Sequence, residues 1–72
     1  MAVTRNKKIK WINKFSREEG FVKSLSKTKG YFENTFDFNE ARLFTEKEAQ
    51  TALSTLEAIG ETANNDFAIV CA

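Results

Sequence analysis

A chain of 72 residues, 42% hydrophobic and 29% charged, is read as one domain over residues 1–72, of a size that buries only about 60% of the surface its unfolded chain exposes. One cysteine and no histidine exclude an internal disulfide, Ser-His-Asp and Cys-His catalysis and most zinc sites. The net charge of +1 conceals a split: residues 1–30 carry nine Lys or Arg against two acids, net +7, and residues 31–72 carry two against eight, net −6.

In chain order, residues 1–7 read as a disordered lead-in. The segment "KIKWINKF" follows, its alternation placing Ile9, Trp11 and Phe15 on one face of a strand and Lys8, Lys10 and Lys14 on the other with Ile12. "SREEG" is a hairpin loop with Gly20 available for a positive φ, and "FVKSLS" returns as an antiparallel second strand. Lys23 on that strand joins the basic face, and "SKTKG" adds Lys27 and Lys29. Beyond Gly30, "YFENTF" reads as a third short strand, Asp37 to Glu40 as one capped helical turn, and "ARLF" as a short edge strand.

The best-patterned stretch comes next. Ala49, Ala52, Leu53, Leu56 and Ile59 recur at spacings of three and four, which is the apolar stripe of an amphipathic helix. Thr45 and Glu48 form a capping-box pattern at its start, and Gly60 suits the left-handed position after its end. The predicted helix runs from about Glu46 to Ile59, and its stripe is accounted for by packing on a sheet. Last, "NNDFAIVCA" offers a turn and a strand with Phe67, Ile69 and Cys71 on one side and Ala68 and Val70 on the other. Apolar on both faces, this strand is expected inside the sheet, with Cys71 a small core residue.

The fold class expected is α+β: a small antiparallel sheet in ββ(β)αβ order with one amphipathic helix on one face. The other face, uncovered and basic, is then the functional suspect. Carboxylate chemistry finds its acids mainly at helix caps and in turns, and no GxxxxGK[ST] or GxGxxG loop is present to cradle phosphates. The expected protein is therefore not an enzyme and uses no cofactor or metal. Lys8, Lys10, Lys14, Lys23, Lys27 and Lys29 are its candidate electrostatic contacts, with Tyr31 and Phe32 beside them as apolar ones. Such a face fits a protein partner or, alternatively, a nucleic acid whose phosphates the lysines track and whose bases the aromatics stack. The balanced net charge and acidic half favour protein. The charge split is equally satisfied if the two halves attract each other within the fold.

The run "FDFNEARLFTEKEAQTAL", with "GFVKSLSKTKGYF" upstream, resembles small proteins encoded by phages and mobile elements of Gram-positive bacteria, over about residues 8–60. The resemblance implies a stand-alone accessory protein that inhibits or modulates a host protein by occupying its surface. No window approaches the roughly 20 apolar residues of a membrane span, and the start lacks a secretion signal's apolar core, so a cytoplasmic location without membrane attachment is expected. A homodimer is preferred over a monomer, because so small a chain without staples gains burial from a second copy. A structural homo-oligomer pairing through its sheet face or edge is the third functional class.

Overall fold

The computed structural model describes residues 4–26 and 28–72, which build a four-stranded antiparallel sheet and one helix. Strands β1 (Lys7–Asn13), β2 (Glu19–Ser26) and β3 (Tyr31–Thr35) precede helix α1 (Glu46–Ala58), and β4 (Asn65–Cys71) closes the chain. The spatial order is β3-β2-β1-β4. The α+β class and the ββ(β)αβ order expected from the sequence are what the chain adopts.

Strand β1 ends at Asn13 because the Asn13 side chain accepts hydrogen bonds from the backbone N–H groups of Phe15 and Ser16, bending the chain into a turn. Phe15 therefore leaves the alternation and stands 77% exposed in that turn. The positive φ of the connection, 65°, falls on Arg17 and not on Gly20. Gly20 serves a different need. It lies opposite Trp11, and a Cβ there would come within 2.6 Å of the indole ring, so glycine is what lets Trp11 lie flat across β2. The indole N–H donates to the Phe21 carbonyl at 3.1 Å, which satisfies the one polar atom of a nearly buried ring.

Ile9, Trp11 and Val22 meet Ala49, Ala52 and Leu56 of α1 in a common core, with Leu53, Ile59, Phe67 and Ile69 packed against it. Ile9, Val22 and Leu56 are fully buried. The helix start has both halves of the capping box: Thr45 Oγ1 accepts from the Glu48 N–H at 3.0 Å, and Glu48 Oε1 from the Thr45 N–H at 2.9 Å. Gly60 ends it with φ 83°, in the left-handed region.

Three further sequence expectations are corrected. "ARLF" is not a strand: Phe44 makes one isolated bridge to Lys7, and the Arg42 N–H bonds to the Val22 carbonyl. The ladder between β1 and β2 stops at Lys10 opposite Phe21, and residues 42–44 fill the fork beyond it. The chain thereby crosses from the turn at Phe38–Glu40, on one face, to α1 on the other. Second, β4 is an edge strand, and Cys71 is exposed. Third, order begins before residue 8: Arg5 pairs with Glu48, the Asn6 carbonyl accepts from the Ala72 N–H, and Lys7 opens β1.

Candidate functional site

The register places Lys8, Lys10 and Lys23 on the face opposite the helix, as the alternation requires, but that face is neither bare nor free of counter-charge. The turn Phe38–Glu40, capped by Asp37, folds over it. Phe38 meets Phe21 edge-on, ring centroids 5.1 Å apart, and covers Lys8. The Lys8 ammonium lies 3.7 Å from the Phe38 ring centroid and donates to the Phe38 carbonyl, leaving the residue only 6% exposed. A lysine held this way is part of the fold, its stem packed and its charge answered by a ring and a carbonyl.

Lys10, Lys14 and Lys23 also have partners. Lys10 reaches Glu19 at 2.6 Å and Lys23 reaches Glu40 at 3.5 Å. Lys14 sits in the turn after β1 and not on the strand, where it donates to the Thr62 carbonyl at 2.8 Å and stands 3.8 Å from Asp66. Lys29 is exposed in the turn before β3, and Lys27 lies outside the described residues. The pairs of Lys14, Lys23 and Arg5 each join the basic half of the sequence to the acidic half, so part of the charge split is spent within the molecule. The backbone N–H of Thr45, then the Arg5 guanidinium, hold the Glu48 carboxyl below its ordinary range.

Tyr31 and Phe32 are neighbours on β3 and alternate in direction. Tyr31 is exposed, whereas Phe32 turns to the helix face, where its ring meets Phe67 edge-on at 5.6 Å. There it contributes to a groove of about 370 Å³ at the open end of the sheet. Trp11 is the floor, Phe32 and Phe36 stand on it, and Asn13, Asn34 and Asn65 with Glu18 and Glu61 form a polar rim. Phe36 packs edge-on against Trp11 at 5.7 Å, yet remains 65% exposed. Among the described residues, neither Glu18 nor Glu61 has an ion-pair partner, and no Lys or Arg lines the groove.

Of the residues singled out by sequence, then, Lys8, Lys10 and Lys23 come together on one face, while Lys14, Lys29, Tyr31 and Phe32 are placed elsewhere. The groove residues Phe36, Glu18 and Glu61 were not foreseen. They come from separate loops, and the one signal for them was the pairing of a lone tryptophan with a glycine across a hairpin. No protein-family model matches the chain, and no curated protein or solved structure matches it.

Proposed function

We propose that this chain is a non-enzymatic binding protein that acts by one-to-one attachment to another protein through the aromatic groove over Trp11. The observation that carries the reading is Phe36, a large apolar ring left 65% exposed beside a tryptophan floor and ringed by amide side chains. Interfaces concentrate binding energy in such aromatic anchors surrounded by a polar rim. Phe15, in the same turn as the groove-lining Ser16, is a second large apolar ring left exposed. An accessory role of the phage or mobile-element kind, in which a host protein's surface is occupied, follows from the sequence resemblance and is compatible with a groove of this character.

Binding of nucleic acid by the lysine face is the weaker reading. Lys10 and Lys23 are paired with carboxylates and Lys8 is covered, so a polyanion would have to displace Glu19 and Glu40 and would meet at the groove Glu18 and Glu61, which have no ion-pair partner among the described residues. A photo-crosslinking phenylalanine analogue at position 36, used in the native host, tests the choice. The expected product is a protein adduct that survives nuclease, with binding weakened at least tenfold by Phe36→Ala and little changed by Lys10→Ala. Adducts composed of nucleic acid, or tight binding of labelled oligonucleotides at about 50 mM salt that collapses at about 200 mM, would overturn the reading, since counterion release spans orders of magnitude over that interval.

A further inference from the structure

Strand β4 exposes one side of its backbone, and the hydrogen-bond parity says which residues lie on it. The Lys14 N–H bonds to the Asn64 carbonyl and the Ala72 N–H to the Asn6 carbonyl, so the even-numbered residues of this segment face β1. Asn65, Phe67, Ile69 and Cys71 therefore aim their backbone N–H and C=O groups away from β1, and from Phe67 onward these lie at the free edge, whereas Asn65 is buried, its side-chain amide donating to the Glu61 carbonyl. Sheets ordinarily blunt such an edge with lysine, proline, a bulge or brevity. Strand β4 has none of these: it is seven residues long, its register against β1 is unbroken, and Asp66 is its one charged residue. The opposite edge differs, for β3 has five residues with Glu33 and Asn34 near its middle, and the β2–β3 ladder is broken by a bulge at Lys23.

We infer that β4 pairs antiparallel with β4 of a second copy, joining two sheets into one of eight strands about a two-fold axis beside Ala68. This placement sets Phe67 opposite Ile69 of the second copy on each side of the axis, so that the outward N–H and C=O groups of both residues meet their complements, with Asn65 and Cys71 at the ends of the overlap. Ala68 faces its own equivalent across the axis, where the close spacing of a non-hydrogen-bonded pair suits its small side chain. Asp66 falls opposite Val70, so no like charges oppose each other. Phe67 and Ile69, each half-buried in its own core, form cross-strand apolar pairs that make the two cores continuous. A second copy fits better than a foreign strand because the segment is complementary to itself about Ala68, with Phe67 against Ile69 on both sides and Asp66 against Val70. The inference does not rest on the groove, which shares only Asn65, at the end of β4, with the paired strand.

The test uses charge at the axis. Ala68 is exposed, so Ala68→Lys and Ala68→Glu leave the fold intact, and circular dichroism checks this. Sedimentation under reducing conditions is expected to show the native chain dimerising at micromolar concentration and each variant self-associating at least tenfold more weakly. An equimolar mixture of the two variants is expected to recover a heterodimer. A backbone N-methyl group at Ile69, introduced by chemical synthesis, is a second route: it blocks an outward donor without touching the β1 ladder and should give a folded monomer. A native chain that stays at 8.2 kDa to high micromolar concentration, a dimer indifferent to both substitutions, or one that dissolves only on adding reductant and so rests on Cys71, would each overturn the inference.

Discussion

The two faces of the sheet are covered by different means, and the difference separates what holds this fold together from what merely closes it. On one face a thirteen-residue helix lays small residues, Ala49 and Ala52, against Ile9 and Val22, and drives Leu56 into full burial. On the other, a single turn at Phe38–Glu40 lays one ring across Phe21 and one lysine. The first cover removes large apolar side chains from water, the main source of stability in a domain this small. The second shields a patch and pairs charges on a surface still largely wet, where ion pairs are worth little.

The sharpest way to break the comparison is Leu56→Ala. With the side chain fully buried and the core packed on all sides, the substitution is expected to lower stability by about 2–5 kcal/mol, read as a fall in the urea midpoint. Leu53, only half-buried on the same stripe, should cost less. A neutral Leu56→Ala would mean that the helix is not the element supporting the sheet.

Phe38→Ala is the corresponding test on the opposite face. The ring is 40% exposed, so its loss should cost about 1–2 kcal/mol, and Lys8 should become reactive toward amine-modifying reagents as its cover goes. If Phe38→Ala cost as much as Leu56→Ala, the two covers would be equivalent and the distinction between core and closure would fail.

The helix face was legible in the sequence because its signals are local: a three-and-four spacing, Thr45 with Glu48, and Gly60. The opposite face was legible only as far as its strands. Alternation set Lys8, Lys10 and Lys23 on one side, but burial of Lys8 depends on Phe38, thirty residues along the chain, and nothing local to Lys8 announces a partner. Residues 41–44 misled for the same reason. Ala41 and Phe44 are apolar because both are buried where this segment enters the fork between β1 and β2, and the backbone partners there are Val22, for Arg42, and Lys7, for Phe44. Phe15 continued the β1 pattern in composition alone, since the Asn13 side chain ends the strand first. Apolar residues on both faces of β4 read as interior position, whereas the strand lies at the sheet edge, with Phe67 and Ile69 packed against the helical core and Ala68 exposed on the other face. The groove was least legible of all, being assembled from the β1–β2 turn, the end of β3, and the loop after α1.

The smallest expected effect concerns the capping box that anchors the helical cover. The Glu48 carboxylate accepts from the Thr45 N–H and faces Arg5 at 3.2 Å, and these interactions hold its pKa below the ordinary carboxylate value in the folded state. The unfolded chain lacks them, so over the acid range it binds a proton at Glu48 more readily than the folded chain does. Linkage then fixes the sign: the contribution is fully present above the unfolded pKa and is lost as pH falls through the depressed folded value. Because the carboxylate is exposed, the change should be modest and further reduced by salt. Urea midpoints measured from neutral pH down through the carboxylate range should fall less steeply in Glu48→Gln than in the native chain, the two curves converging at the acid end. Parallel curves would show that Glu48 is no more stabilised when ionised in the fold than in the unfolded chain, and would leave the helix start to Thr45 alone.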